Sequence, residues 1–260
     1  MEKEYSISLL SKKTLAKENV MTTFQYQEIA KRAMPGQFVN ISCDHFLKRP
    51  FGICEVDVVN GTFSIGVRLV GDGTREITQA EIGDVFDVLG PLGNGFSFEG
   101  VKKIIAVGGG TGIYPLYFVL AYAKRLGIPV TCINGFRSRE DAFLTEECKK
   151  LATRALFSTD SGDYGIKGNV MDALAQLSED ELSEATVFVV GPEIMMKKVS
   201  VWAMERSLSC KVSQERKMAC GIGICLVCTC KVKARDESAE FHHVRCCKEG
   251  PVMDAKEVIW

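Results

Sequence analysis

Six of the chain's eleven cysteines fall between residues 220 and 247, and that crowding limits what the last fifty residues can be. So short a segment, rich in thiols and poor in apolar runs, has no room for a conventional core and must be held by something other than burial. The spacing says what that is. Met218-Ala219-Cys220-Gly221-Ile222-Gly223-Ile224-Cys225-Leu226-Val227-Cys228-Thr229-Cys230, followed later by Arg245-Cys246-Cys247-Lys248, contains C-x4-C-x2-C-x18-C through Cys220, Cys225, Cys228 and Cys247. Three thiolates from one loop and a fourth from a distant return make the donor set of a [2Fe-2S] cluster. Gly221 and Gly223 remove side chains that would hold the loop's backbone away from the sulfurs, so its amides can donate to them. The competing metal is structural zinc, which takes two short C-x2-4-C knuckles. Here the second half offers only adjacent Cys246 and Cys247. A disulfide or an unliganded group of thiols is the third reading. Within the iron-sulfur reading Cys230 is surplus, and Cys246 competes with Cys247 for fourth ligand.

Bulk numbers exclude several function classes. A chain of 260 residues with 46% apolar content can fill one large core or two medium ones. Lys+Arg 32 against Asp+Glu 33 leaves a net charge of -1, so no basic field supports a nucleic-acid partner. The longest apolar runs, at 103–107 and 186–190, are far short of a membrane span. Met1-Glu2-Lys3-Glu4-Tyr5 lacks the apolar core of a signal peptide. The thiols therefore read as a reduced inventory, and a cytoplasmic protein without membrane or nucleic-acid partners is expected.

Along the chain, residues 1–100 read as short strands separated by turns, at 5–10, 22–27, 37–42, 54–59, 62–70 and 84–89, with Asn60-Gly61 as a hairpin turn. Only 73–80 hints at a helix, so an antiparallel β-barrel or sandwich is expected. After Gly90-Pro91-Leu92-Gly93-Asn94-Gly95 the texture changes. Strands at 104–107, 130–134, 154–159 and 186–190 alternate with helices at 113–125, 140–152, 170–177 and 192–208. That alternation means βαβ units and a doubly wound parallel sheet. The expected architecture is mixed β and α/β: a barrel over 1–100, a nucleotide-binding α/β domain over 101–210 and a small iron-sulfur domain over 211–260.

Gly108-Gly109-Gly110-Thr111-Gly112 sits between the first α/β strand and its helix, where free amides and glycine backbone suit a dinucleotide pyrophosphate. It is not G-x-G-x-x-G, because Tyr114 and Pro115 follow Gly112, and no acidic residue ends the second strand. Arg137 and Arg139 stand there instead, either for a 2'-phosphate or as solvated charges, which leaves NAD against NADP open. Arg49-Pro50-Phe51-Gly52, after a barrel strand, and Gly71-Asp72-Gly73-Thr74, after Gly66-Val67-Arg68, are bland alone. Electron arithmetic changes their weight. A nicotinamide carries a hydride whereas a [2Fe-2S] cluster takes one electron, so a chain with both needs a flavin to convert between them, and the barrel must hold it.

Together with Pro35-Gly36-Gln37-Phe38-Val39, Gly191-Pro192, Glu215-Arg216-Lys217-Met218 and Cys247-Lys248-Glu249-Gly250-Pro251-Val252, these motifs resemble the electron-transfer subunits of type B dihydroorotate dehydrogenases, within the ferredoxin-NADP reductase-like superfamily. The resemblance covers nearly the whole chain, and the C-terminal cysteine motif is its specific part. It implies an oxidoreductase subunit binding FAD, a [2Fe-2S] cluster and NAD(H). It also implies pairing with a separate FMN-containing catalytic subunit that oxidises dihydroorotate in pyrimidine biosynthesis, as a heterotetramer of two of each. Carried onto this sequence, Arg49, Pro50, Phe51, Gly52, Gly66, Val67, Arg68, Gly73 and Thr74 would contact FAD. Cys220, Cys225, Cys228 and Cys247 would bind iron, Cys247 being preferred because it directly precedes Lys248-Glu249-Gly250-Pro251-Val252. One departure stands out: the family has a hydroxyl residue where this chain has Gly52, so a backbone amide or water must replace that hydrogen bond.

Two alternatives remain. One is the small subunit of another flavin and iron-sulfur complex, such as a sulfide dehydrogenase or a ferredoxin:NADP oxidoreductase, whose cluster loop tends to carry aspartate where Cys220 stands. The other is a zinc-stabilised nucleotide-binding regulator. His45, His242 and His243 are the only histidines, and no catalytic acid-base set is apparent, so the chain alone is expected to leave dihydroorotate untouched.

Overall fold

The computed structural model describes residues 4–234 and 239–260, with the side chains of His45 and Phe46 left aside. The first part is β1 (Glu4–Ala16), β2 (Asn19–Gln25), α1 (Gln27–Arg32), β3 (Phe38–Cys43), β4 (His45–Asp57), β5 (Thr62–Arg68), α2 (Asp72–Gln79) and β6 (Val85–Leu92). Its six strands close an antiparallel barrel in the order β1-β2-β5-β4-β3-β6. Period-two alternation turns Val39 and Ile41 of β3, Phe63, Ile65 and Val67 of β5, and Phe86 and Val88 of β6 into the barrel core. Phe38 and Asn40, one step out of phase, therefore point away from it.

Two features of this part differ from expectation. α1 is a six-residue helix without a side-chain cap, too short to leave a helical period in the sequence. β4 begins at His45, so Arg49-Pro50-Phe51-Gly52 lies within a strand rather than after one. Proline fits there because β4 pairs with β3 through Arg49, Pro50, Phe51 and Gly52 but first meets β5 at Ile53, leaving one edge of that stretch unpaired.

The second part is β7 (Lys103–Gly109), α3 (Ile113–Leu126), β8 (Val130–Phe136), α4 (Thr145–Leu151), β9 (Arg154–Thr159), β10 (Ile166–Lys167), α5 (Val170–Leu174), α6 (Glu179–Leu182), β11 (Ala185–Val190), α7 (Glu193–Glu205) and β12 (Ser209–Ser213). Its strands run β10-β9-β8-β7-β11-β12, all parallel. The chain winds outward from β7 in one direction and returns to wind in the other. The switch falls between β7 and β11, where such sheets open a ligand crevice at the strands' carboxyl ends. α4 is shorter than the expected 140–152 because Phe143 and Leu144 leave the helical path to bury themselves in the core beside Tyr114 and Phe136, Leu144 at φ 55°.

The last part adds β13 (Thr229–Lys233), β14 (Phe241–Arg245) and β15 (Val252–Asp254). β13 and β14 form a hairpin, while β15 extends the parallel sheet antiparallel to β12 through Val252, Met253 and Asp254. Cys228, Cys230, Cys246 and Cys247 share one core with Ile105, Val107, Val187 and Val189 of the central strands. The thiol-bearing segment is thus sewn into the nucleotide-type sheet. No described helix is long and apolar enough to cross a membrane.

Candidate functional site

A cleft of about 930 Å³ runs between the barrel and the carboxyl ends of β7 and β11. On the barrel side its wall includes Arg49, Pro50, Phe51 and Gly52 of β4, Gly66 and Arg68 of β5, and Thr74 of α2. Val67, between Gly66 and Arg68, is fully buried in the barrel core. Gly73 is buried behind the wall, where a Cβ would lie 2.7 Å from Arg49 Nε, so glycine lets the guanidinium rest against the first turn of α2. Arg49 Nη1 donates to the Leu47 carbonyl at 2.6 Å. The Thr74 hydroxyl accepts N–H groups from Val70 and Gly71 and donates to the Gly71 carbonyl, shaping the turn into α2. A guanidinium beside a helix N-terminus is the donor set a pyrophosphate needs.

Gly66 and Gly52 seat the start of α3. Any side chain at Gly66 would overlap the Tyr114 ring, and a Cβ at Gly52 would stand 3.0 Å from Pro115 Cγ. The missing hydroxyl at Gly52 therefore has a packing counterpart in this chain. Burial, with Cys54 nearby, pushes the Tyr114 hydroxyl far above its ordinary range, so it stays protonated and donates to Asn19 Oδ1 at 3.5 Å while its ring packs.

On the sheet side Gly109, Gly110, Thr111 and Gly112 face the cleft. Gly108 does not, since its missing side chain makes room for fully buried Asn134, whose Nδ2 donates to the Gly110 carbonyl at 3.4 Å. Gly112 lets α3 close on the Val190 carbonyl, and Gly110 takes φ 53°. Farther along, Arg137 and Asp160 both line the cleft, whereas Arg139 sits over the Tyr164 ring at 6.0 Å. Asp160 follows the end of β9, one strand over from the end of β8, where the sequence pattern places an acidic residue.

The floor comes from the end of β12 and the chain beyond it, with Ser213, Gln214, Met218 and Pro251. Gln214 is 3% exposed, and neither end of its side-chain amide has a partner among the described residues. Its backbone N–H donates to the Pro251 carbonyl at 2.8 Å, and its own carbonyl accepts the Cys246 thiol at 3.2 Å. One residue thus joins the cleft floor to the thiol-bearing lobe.

There the thiols pair. Cys220 Sγ accepts the N–H groups of Ile224 and Cys225, each at 3.4 Å. Burial opposes its thiolate, but the amides of Cys225, Ile222 and Ile224, together with the Cys225 side chain, hold Cys220 down to about 6. Cys247 is pushed up to about 12 by burial and by its hydrogen bond with Cys228, against the pull of the Gly223 amide. Cys220 with Cys225, and Cys228 with Cys247, suit two irons taking two thiolates each. Cys246 is fully buried and bound to Gln214, and Cys230 points to the Val244 carbonyl and Met253 Sδ, so both face the core. Among the described residues no three His, Cys, Asp or Glu side chains converge on one metal-ion position. Gly221 at φ 71° and Gly223 at φ 84° carry the loop, and Arg245 Nη1 ties it down at the Gly223 carbonyl, 2.9 Å away.

Comparison with known proteins gives the family. Residues 215–259 match the iron-sulfur cluster binding domain of dihydroorotate dehydrogenase B, and residues 106–201 match the oxidoreductase NAD-binding domain. The "Dihydroorotate dehydrogenase B (NAD(+)), electron transfer subunit" of Caldanaerobacter subterraneus subsp. tengcongensis is 35% identical over 255 residues, with 97% of each chain covered. The chain belongs to the family of dihydroorotate dehydrogenase B electron transfer subunits. The Desulforamulus reducens subunit of the same name is 32% identical over 265 residues, covering 100% of both chains. A solved NADH-dependent reduced ferredoxin-NADP oxidoreductase chain superposes with a TM-score of 0.86 at 30% identity, over 98% of this chain and 90% of that one. The ferredoxin reductase of carbazole 1,9a-dioxygenase, at 17% identity and a TM-score of 0.70, covering 80% and 67%, shows the same fold. As a dihydroorotate dehydrogenase B electron transfer subunit, the chain is an oxidoreductase component of pyrimidine biosynthesis that takes an iron-sulfur cluster, FAD and NAD(H), and it implies a catalytic partner subunit.

Proposed function

We propose that the cofactors divide along the chain as follows: FAD on the barrel of residues 1–100, NAD(H) on 101–210 and the cluster on 211–260. Bound FAD supplies the conversion between the single electrons of a cluster and the hydride of a nicotinamide. The chain's own residues bind and orient. Arg49 and the α2 N-terminus with Thr74 neutralise a pyrophosphate, while Pro50, Phe51, Gly52, Gly66, Arg68 and the backbones of Val67 and Gly73 shape the flavin wall. Gly109 to Gly112 bring backbone amides to the second pyrophosphate, with Gly108 seating Asn134 behind them, and Cys220, Cys225, Cys228 and Cys247 hold the irons. The observation that carries this reading is the pairing of four thiols beyond a cleft walled by both nucleotide-type sites, with Gln214 joining the cleft floor to that lobe through Cys246, the neighbour of Cys247.

The partner in this reading is an FMN-containing catalytic subunit in a heterotetramer of two of each, working in the cytoplasm. The crowding of six cysteines between 220 and 247, which suits metal binding better than a disulfide framework, supports that compartment. Anaerobic purification tests the whole scheme. The isolated chain should show flavin and iron-sulfur absorption, pass electrons from NADH to dyes and leave dihydroorotate untouched until the catalytic subunit is added. A colourless protein, or dihydroorotate turnover by the chain alone, would overturn it.

The 0.86 TM-score to a ferredoxin-NADP oxidoreductase chain favours a second reading, in which this chain serves such a complex. Cys220, in place of the aspartate expected there, speaks against it. Mass spectrometry of the subunit that co-purifies decides between the two.

A further inference from the structure

We propose that Asn40 is the positioning residue that locks the cluster loop onto the flavin barrel. The inference rests on reading that loop as the cluster site. Asn40 lies on β3 at a position facing out of the barrel, where a polar residue is ordinarily exposed, yet it is fully buried beneath the loop. Its Nδ2 donates to the Cys220 carbonyl at 3.4 Å. Gly221, the next residue, takes φ 71° and approaches so closely that any side chain there would overlap the Asn40 amide. Asn40 Oδ1 has no partner among the described residues. A buried orphan acceptor is a standing cost that leucine, of nearly the same shape, would not carry, so stability alone does not account for the amide.

The backbone of Asn40 does a second job. It pairs with Pro50 of β4 on one side and Leu89 of β6 on the other. One residue therefore joins the strand that walls the flavin cleft to the peptide of the first iron-binding cysteine. Its amide fixes the loop's height above the barrel, and with it the separation of the two electron carriers. The free Oδ1 is the remaining acceptor for a loop N–H once the thiolates close on iron.

The test uses the full chain, loaded anaerobically with FAD and cluster. Asn40→Leu removes the orphan Oδ1 together with the donor to the Cys220 carbonyl, two losses that offset in stability, and Asn40→Asp keeps the shape while setting a carboxylate oxygen against the Cys220 carbonyl. Both variants should bind FAD stoichiometrically, and Asn40→Leu should melt no lower than the parent. Yet both should release iron to a chelator about tenfold faster, the effect of losing one buried hydrogen bond to the loop. Their reduced clusters should also show altered electron paramagnetic resonance g-values, which a purely structural role would leave alone. Iron release and spectra identical to the parent in both variants would overturn the role of Asn40 while leaving the cluster reading intact. A parent chain that takes up no iron would overturn both.

Discussion

Cys246 and Cys247 show how far neighbouring residues of one type can diverge. Adjacent side chains leave the strand end in opposite senses, so one thiol meets Gln214 in the core and the other meets Cys228 and the Gly223 amide. From sequence the two were equivalent except for the run that follows Cys247. Replacing Cys247 with serine should leave the protein without its full complement of about two irons, whereas Cys246→Ser should keep it. The serine hydroxyl can still donate to Gln214, so Cys246→Ser should cost no more than about 1 kcal/mol. Iron analysis and thermal melts of both variants measure this, and a Cys246→Ser protein devoid of iron would reverse the assignment. Other residues were legible only as types. The glycines at 108, 112 and 66 announced a site, but the structure uses them to seat Asn134, the Val190 carbonyl and Tyr114. Asn40 gave no signal, because an asparagine in a strand reads as a solvent-facing residue until the loop that covers it is known.

Elements with a strong internal period were readable, and those defined by tertiary contact were not. β5 alternates cleanly, and β7 with α3 brackets the glycine run, so both were visible in the residues. β15 is three residues long and is a strand only because β12 lies beside it. α6 is four residues, held by its cap: the Ser178 hydroxyl accepts the Glu181 N–H, and the Glu181 carboxylate accepts from the Ser178 backbone and from Arg154 at 2.6 Å. Burial would raise the Glu181 carboxyl, but those donors outweigh it and hold it below its ordinary value. A lowered folded-state value stabilises above the unfolded value, about 4.3, and the gain is lost as pH falls through the folded one. Glu181→Gln should therefore cost about 1 kcal/mol at pH 7, discounted for the half-exposed Arg154, with the gap closing below about pH 4. Urea titrations of parent and variant across that range measure the gap, and a constant difference would exclude the carboxylate as its source.

For the whole molecule the question is whether the thiol-bearing lobe stands apart. A Cys-rich segment of fifty residues suggests an appendage, and the expected boundary near 210 falls inside β12. The structure joins the lobe at several places, among them the pairing of β15 with β12, the Gln214 backbone bound to both Pro251 and Cys246, the Asn94 N–H donating to the Gly250 carbonyl, and Asn40 of the barrel reaching the Cys220 carbonyl. Four of the lobe's cysteines also lie in one continuous core with the central strands. Metal that binds only the folded state adds its binding free energy to folding, and a shared core passes that gain to every element packed on it. Stripping iron anaerobically with a chelator should accordingly lower the melting temperature of the entire chain in one cooperative transition, by several degrees or more for a loss of a few kcal/mol. Calorimetry of the loaded and stripped protein, both saturated with FAD, reads this directly. If stripping instead produces a separate low-temperature step and leaves the main transition in place, the lobe folds on its own and the joints through β15, Gln214 and Asn40 carry little energy.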